Sequence, residues 1–459
     1  MGAEWSSLGY FNPSKRFKRD TDDTKLNEND AENIDNSDEN STELGLFTEA
    51  GWNRLPYLVL LEVFQHLDQT DRYHAALTCK SWLLTLSSPS LWNTGHFKFN
   101  SKYSQSLISF VNRMGKFLQH IEADCAAQEA GETSADLLFL YQFTEALLTA
   151  NNQQLVTLSL TNTKLLQPSA VHQWEVVEKL ALLIENQQNL QVLDLSHADL
   201  SIKKGLRLLE AAASHRCHDT IHTLNINDLI TITTPNDITD NARFHYFMSR
   251  FGNLSDLQLS YFYVSDELLY MLAITARHTL QKMSLHAKCL GHADRLTSKS
   301  AWQCLTSASP QLKLAVFIQS NMGMRYVSTL SRFLNPSLPL HQLHWVCGQM
   351  HDEEDIQMSL YHIAIFFENS LRHLRLDFAN FRDEGMLRVL IKRCHKLETL
   401  SVNVLGLNRQ EEIGFEVAIM LGIASHPIRH ECVATLNNKD VSLRDTWFTS
   451  FLCFMMTRM

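Results

Sequence analysis

The chain has 459 residues, a formal net charge of −10 at pH 7 and a sequence pI near 6.1. Its hydrophobic content of 45% can build a large core, and its length allows two or three domains or one long repeat array, which excludes a chain that is disordered throughout. The acidic balance argues against a protein whose main partner is nucleic acid.

Residues 1–46 carry eleven Asp and Glu against five Lys and Arg, with few large apolar residues. Such a segment cannot repay the entropy of ordering, so we predict a disordered acidic tail. Within it, the basic cluster of residues 15–19 fits a nuclear import signal, or equally a solvated group of charges. The first six residues match the loose pattern for myristoylation at Gly2, which is usually accidental.

The stretch from Trp52 to Trp92 has more specific spacing. Pro56 can start a helix because its φ is fixed and its missing N–H is not needed there. Two apolar stripes follow at helical spacing. They are Pro56, Leu60, Val63 and Leu67, and then Leu58, Leu61 and Phe64. A short helix on its own domain needs one apolar face, so the second predicts a partner surface.

Two shorter helices are predicted after this one. Asp71 can N-cap a helix that carries Ala75, Ala76, Leu77 and Cys79. A third helix holds Trp82, Leu83 and Leu86 before residues 87–90 end it. An alternative interpretation is an apolar three-helix cap on a larger domain.

These residues resemble the F-box family. The matching motifs, in chain order, are Leu55-Pro56, Val59-Leu60-Leu61, Val63-Phe64, Leu67-Asp68, Asp71, Leu77, Cys79, Lys80-Ser81-Trp82 and Pro89-Ser90-Leu91-Trp92. Tyr57, Leu58 and Thr78 depart from the family pattern. The resemblance implies that this segment docks on a Skp-type adaptor, and we expect Leu55, Pro56, Leu60, Val63 and Leu67 to face it.

The rest of the chain repeats a Leu-x-x-Leu-x-Leu strand followed by an amphipathic helix, about every 31 residues. Eight strands are clear, at residues 155–160, 190–195, 221–226, 254–259, 280–285, 340–345, 371–376 and 397–402, and two weaker ones fall at 118–123 and 312–314. The Asn or Cys usual after the strand in leucine-rich repeats is replaced. We therefore predict a divergent α/β horseshoe, with parallel strands on the concave side and helices outside. A globular α/β domain with larger sheet units is the alternative.

The residue between the last two apolar positions is polar in all eight clear strands. These residues are Ser159, Asp194, Asn225, Gln258, Ser284, His344, Arg375 and Ser401. Alternation along each strand points them away from the core, onto one concave surface. An ordinary solvated face is the alternative for any one of them. We expect Asp194, Asn225, Gln258, His344 and Arg375 to bind a substrate protein.

The later chain also resembles the F-box only protein 39/33 group, around Val264-Ser265-Asp266-Glu267-Leu268-Leu269 and Ser300-Ala301-Trp302 and in its apolar C-terminus. The predicted domains are the tail of residues 1–46, an F-box at 50–98, a repeat domain at 103–440 and a C-terminal cap at 441–459.

No hydrolase elbow, phosphate loop or dinucleotide fingerprint occurs. His215, Cys217, His218 and His222, and separately His341 with His344, come near metal-ligand spacing, but neither set has paired structural-zinc geometry. We expect no cofactor and no metal. Nine dispersed cysteines without a CxxC pair suggest free thiols, and no apolar run reaches the length of a membrane span.

The family resemblance implies a non-catalytic substrate-recognition subunit of a Skp-cullin-F-box ubiquitin ligase in the cytoplasm, the nucleus or both. The adaptor would link it to a cullin, and the bound protein would be ubiquitinated by proximity. The alternatives are a repeat scaffold without ligase coupling and an enzyme that lacks a recognisable motif.

Overall fold

The computed structural model describes most of the chain from Leu55 to Val441. The described residues are 55–67, 69–98, 104–125, 133–163, 173–214, 217–231, 236–288, 297–320, 333–348, 353–379, 381–405, 411, 419, 433–437 and 439–441. The predicted acidic tail and residues 442–459 of the predicted cap lie outside these ranges.

Three short helices open the described chain: α1 (Tyr57–His66), α2 (Gln69–Ala76) and α3 (Lys80–Leu86). The ring of Phe64 on α1 meets the edge of Trp82 on α3, with centroids 5.7 Å apart. The Arg72 guanidinium on α2 donates to the carbonyl oxygens of Phe64 (2.7 Å) and Leu91 (2.9 Å). It thereby ties the end of α1, whose last carbonyls have no intrahelical partner, to the segment that leads into the sheet.

A single sheet of thirteen strands runs through the described residues, and its strand order is the chain order. The strands are β1 (Thr94–Lys98), β2 (His120–Asp124), β3 (Thr157–Thr161), β4 (Val192–Asp194), β5 (Thr223–Asn225), β6 (Asp256–Ser260), β7 (Lys282–Lys288), β8 (Lys313–Ser320), β9 (Leu340–Cys347), β10 (His373–Phe378), β11 (Thr399–Val404), β12 (Val433–Leu436) and β13 (Lys439–Val441). Strands β1 to β12 pair in parallel, and β13 is antiparallel to β12. All ten predicted strands are present, which confirms the repeat architecture over the globular alternative.

Helices fill most of the connections between the parallel strands. They are α4 (Ser104–Met114), α5 (Thr133–Thr149), α6 (Gln173–Glu185), α7 (Ile202–Ala212), α8 (Asn236–Thr239), α9 (Ala242–Ser249), α10 (Asp266–Thr275), α11 (Lys299–Ala308), α12 (Glu353–Phe366) and α13 (Glu384–Arg393). Several begin at a capping side chain: Ser265 accepts from the Leu268 N–H, and Ser298 accepts from the Ala301 N–H. These caps satisfy amides that would otherwise lack a partner.

The register of the sheet is regular except between β8 and β9. Leu314 pairs with Leu340, but Ala315 pairs with Gln342, so β9 has one extra residue, His341. Such a bulge turns two successive side chains to one face. His341 and Gln342 are both partly exposed between the buried Leu340 and Leu343.

The three-helix unit and the sheet share one core. Trp92 donates its indole N–H to the Leu86 carbonyl (2.8 Å) and packs edge-on against Phe110 of α4, at 5.2 Å. Buried apolar residues continue from Phe64 to Leu436. None of the helices in the described part of the chain is long and apolar enough to cross a membrane.

Candidate functional site

The outer side of α1 is apolar and exposed. Leu58 is 74% exposed, and Tyr57 and Val59 are each nearly half exposed. These three residues, which we call the α1 face, leave a large apolar area in water at the start of the chain's first described helix. An exposed group of this kind marks an interaction surface.

The residues predicted to meet an adaptor are not equally placed. Pro56 is exposed, while Leu55, Val63 and Leu67 are half-buried. Leu60, in contrast, is 0% exposed and points inward with Phe64. Leu60 therefore supports α1 from inside, whereas Leu58, two residues earlier, points outward because successive helical residues are about 100° apart.

The predicted polar row on the inner face of the sheet exists over its first half. Asp194, Asn225 and Gln258 are direct neighbours on β4, β5 and β6. The Asn225 amide donates to the Asp194 carboxylate at 3.0 Å. Asp194 and Asn225 also accept from the backbone N–H groups of Ser196 and Asn227. These two side chains thus also hold the turns after their strands.

The second half of the predicted row lies one side-chain step further along the strands. His344 pairs with Phe317 of β8 and with Arg375 of β10, whereas Ser284 pairs with Ala315. The repeat's polar position moves by two residues between β8 and β9, since Gln342 rather than His344 lies opposite Ala315. The eight polar positions therefore form two separate rows, contrary to the single row that alternation predicts.

His344 and Arg375 converge on one carboxylate. The His344 Nε2 lies 2.7 Å from Asp377 Oδ2, and the Arg375 Nε donates to the same oxygen at 3.0 Å. The Asn403 amide donates to the other oxygen. Burial alone would raise the pKa of Asp377, but these donors lower it below its ordinary value. We call these four residues the Asp377 cluster.

A second cluster, the Asp228 cluster, lies on the inner face at the ends of β4 to β7. It consists of His197, Asp228, Ser260 and Lys288. Asp228 contacts His197 Nδ1 (2.9 Å), accepts from the Ser260 hydroxyl (3.0 Å) and pairs with the Lys288 ammonium. Burial would raise the pKa of Asp228, but the His197 and Lys288 contacts lower it to about 2.

Two stacked rings lie between the clusters. His286 on β7 and Phe317 on β8 are parallel within 11°, with centroids 4.6 Å apart, and Phe317 meets His344 edge-on at 6.0 Å. Burial is the main cause that lowers the pKa of His286 to about 4, so the ring is neutral at pH 7. The two rings and Lys288 were not predicted from the sequence, although alternation continued through a longer β7 and β8 would have found them.

Within the described residues, the side chains of the two candidate metal groupings have other neighbours. Cys217 is buried and its thiol lies 3.1 Å from the Ile184 carbonyl, and His218 Nδ1 lies 2.9 Å from the Ser214 carbonyl; His215 lies outside the described residues. His341 neighbours His373, at 5.1 Å, rather than His344. No set of three or more His, Cys, Asp or Glu in the described ranges could hold a metal ion.

Comparison with known proteins gives one family model and several similar proteins. The F-box-like family model matches residues 52–98. F-box/LRR-repeat protein 21 of mouse (Mus musculus) is 20% identical over 308 residues, and that of sheep (Ovis aries) is 21% identical over 308 residues. Each alignment covers 64% of this chain and 64% of the relative, so the chain spans just under two thirds of these relatives' length.

Fold and comparisons agree on the architecture. The F-box-like match covers the three helices and β1, and the relatives combine an F-box with leucine-rich repeats in their names. Together with the parallel sheet in chain order, these findings support an F-box protein with a leucine-rich-repeat solenoid.

Proposed function

We propose that this protein is the substrate-recognition subunit of a Skp-cullin-F-box ubiquitin ligase. The observation that carries the proposal is the exposed α1 face on an F-box-like unit that shares its core with a solenoid. The F-box-like unit then binds a Skp-type adaptor, and through it a cullin, while the inner surface of the sheet holds the protein to be modified. The chain forms and breaks no bond itself.

The α1 face suits an adaptor because its apolar side chains are exposed within the described part of the chain. Burying one leucine side chain at a partner surface contributes roughly 1.5–3 kcal/mol. Leu58 should therefore be a hot spot, and we propose the predicted Leu55, Pro56, Val63 and Leu67 as further adaptor contacts. The buried Leu60 contributes by holding the helix in place.

The inner surface of the sheet is the proposed substrate site. Strand and core fix the positions of Asp194, Asn225, Gln258, His344 and Arg375, so little entropy is lost when a partner binds. Holding a substrate beside a charged conjugating enzyme raises its effective concentration, and ubiquitin transfer follows from proximity. We further propose a cytoplasmic or nuclear location, and membership of the F-box only protein 39/33 group on the motifs around residues 264–269 and 300–302.

The test is adaptor capture by full-length Leu58→Asp, which places a charge on the α1 face. Ile274→Asp is the matched control, since Ile274 is 77% exposed on α10 and far along the chain from the F-box-like unit. We expect Leu58→Asp to lose adaptor binding about a hundredfold or more, because a charge cannot be buried without a partner. Leu55→Ala/Pro56→Ala should weaken binding in the same direction.

Unchanged melting temperatures would show that both Asp variants are folded. Adaptor capture by Leu58→Asp equal to that of Ile274→Asp would refute the proposed surface. A wild-type chain that captures partner proteins but no adaptor would favour a scaffold without ligase coupling.

A further inference from the structure

In the middle of the inner surface, the pairing of β7 with β8 places two small side chains between larger ones, and we infer a shallow groove from these sizes. Its floor is Ser284 and Ala315, two small side chains opposite each other on β7 and β8. Lys282 and Lys313 face each other on one side of this floor, and His286 and Phe317 on the other. We call these six residues the inner groove.

The lysine side of the groove carries unbalanced positive charge. Like charges directly opposite on adjacent strands are destabilising, yet Lys282 and Lys313 are both exposed and make no ion pair within the described part of the chain. Asp256 lies beside Lys282 in the register and forms no ion pair with it within 4 Å, although the Lys282 charge partly offsets the burial that raises the pKa of Asp256. Glu398 pairs with Arg372. The two opposed lysine side chains could therefore both contact an anionic group of another molecule.

The bulge in β9 places a histidine beside these lysines. It leaves His341 outside the strand pairing, where burial first, and then the nearby His373, Lys313 and Arg372, lower its pKa. Glu398 acts in the opposite direction, so the basic neighbours of His341 are a secondary cause of the lowered pKa, after burial.

The other side of the groove is a flat apolar wall. The His286 and Phe317 rings stack at 4.6 Å, and burial keeps His286 neutral at pH 7. Both rings remain partly exposed to the inner surface. An aromatic or aliphatic side chain could lie on them without displacing a charge.

We propose that the inner groove binds an extended segment of a partner protein in which acidic residues alternate with apolar or aromatic residues. The acidic side chains contact Lys282 and Lys313, and the apolar side chains lie on the His286–Phe317 stack. Calling this partner the ubiquitination substrate rests on the proposed function, whereas the groove and its ligand class do not.

The dimensions suit such a segment. His286 follows Lys282 by four positions on β7, and at about 3.3 Å per residue this places the two sides of the groove roughly 13 Å apart. An extended peptide points alternate side chains in opposite directions, so one row of side chains can meet each side. The segment then crosses the strands, and amides on the neighbouring strands, such as Gln258 and Gln342, can bond to its backbone.

The test uses fluorescein-labelled peptides about ten residues long, an extended length of roughly 33 Å. In the probe, glutamate alternates with tyrosine; in two controls, glutamine or lysine replaces glutamate. Fluorescence anisotropy with the full-length protein should show the glutamate peptide binding about tenfold or more tightly than either control, with an affinity that falls as salt rises.

Two double variants carry the same change in net charge. Lys282→Glu/Lys313→Glu reverses the groove, and Lys299→Glu/Lys392→Glu reverses two exposed lysines on the outer helices α11 and α13. The groove variant should lose about tenfold or more in affinity for the glutamate peptide and should prefer the lysine peptide, whereas the outer variant should change by less than about twofold. Phe317→Ala should also weaken binding.

Equal affinities for the two double variants would overturn the proposal, and so would equal affinities for the glutamate and glutamine peptides. Binding that emerges only after residues 1–46 are deleted would overturn it in favour of the chain's own acidic segment as the occupant. Adaptor capture by the groove variant should match wild type. Failure of the groove and failure of the proposed function can therefore be told apart.

Discussion

At the scale of single residues, His286 is the group whose protonation would most disturb the inner surface. Its pKa is about 4 in the folded chain, against an ordinary value of 6.5, because of burial and the charges of His197 and Lys288, which outweigh Asp228. The unfolded chain thus binds a proton more readily than the folded chain between about pH 6.5 and 4. Stability from this residue is present above pH 6.5 and is lost as pH falls toward 4.

His286→Phe should remove this pH dependence. The phenyl ring preserves the stack on Phe317 and cannot be protonated. We expect the melting temperature of the variant to fall less than that of wild type between pH 7.5 and 4.5. Asp228 does not affect the comparison. Its pKa is about 2 in the folded chain against an ordinary value of 3.8, so its own contribution to stability is lost only below about pH 4. Parallel pH profiles for the two proteins would contradict this account.

The polar residues that line the inner surface could be predicted from the sequence only where the register of the sheet is regular. Strict alternation correctly placed Asp194, Asn225 and Gln258 side by side. It failed past β8, because the pairing of β9 with β8 places Gln342, rather than the predicted His344, opposite Ala315. Lys313 and Phe317 were missed for a related reason: β8 was predicted only from its first leucines, so its outward residues were never aligned.

At the scale of elements, two buried amide side chains form hydrogen bonds between neighbouring repeats, where the Asn or Cys that usually follows the strand is replaced. The Asn152 amide donates to the carbonyls of Gly115 (2.6 Å) and Leu118 (2.8 Å). Gln187, one repeat later, donates to the Asn152 and Leu183 carbonyls and accepts from the Leu155 N–H. Both residues precede a strand rather than follow it, so the usual repeat position did not reveal them. These two amides hold helix ends against the neighbouring repeat, because the buried carbonyls there need hydrogen-bond donors.

The first helix shows a second limit of sequence reasoning. Two apolar stripes predicted two packed faces but could not say which faces inward, because that depends on where α3 and the sheet lie. The structure buries Leu60 and Phe64 and leaves Leu58 in water.

Leu60 and Leu58 should therefore respond to truncation in opposite ways. Leu60→Ala leaves a cavity under α1 and should cost about 2–5 kcal/mol of unfolding free energy, while Leu58→Ala should stay within about 0.5 kcal/mol of wild type. Urea unfolding followed by tryptophan fluorescence measures both, since Trp82 and Trp92 lie in this unit. Equal losses for the two variants would show that the inward and outward sides of α1 are misassigned.

At the scale of the whole molecule, one continuous core connects the F-box-like unit to the solenoid. Trp92 and Phe110 pack across the junction, and β1, within the F-box-like match, is the first strand of the sheet. Such a junction resists bending, because packed interiors transmit displacement rather than absorb it. A substrate on the inner surface would consequently be held at a fixed orientation relative to the adaptor.

The central claim is that one rigid chain presents two separate binding surfaces. The most direct measurement is quantitative affinity purification of the full-length chain from cells with the proteasome blocked, comparing wild type, Leu58→Asp and Gln258→Ala/Arg375→Ala. Gln258 and Arg375 are chosen because both reach the inner surface without holding a turn. Thermal melts establish that all three proteins are folded.

We predict that Leu58→Asp loses the adaptor and cullin but keeps its other captured proteins, whereas Gln258→Ala/Arg375→Ala keeps the adaptor and cullin and loses at least one of those proteins. Loss of both classes by either folded variant, or retention of the adaptor by Leu58→Asp, would contradict the claim of two separate surfaces.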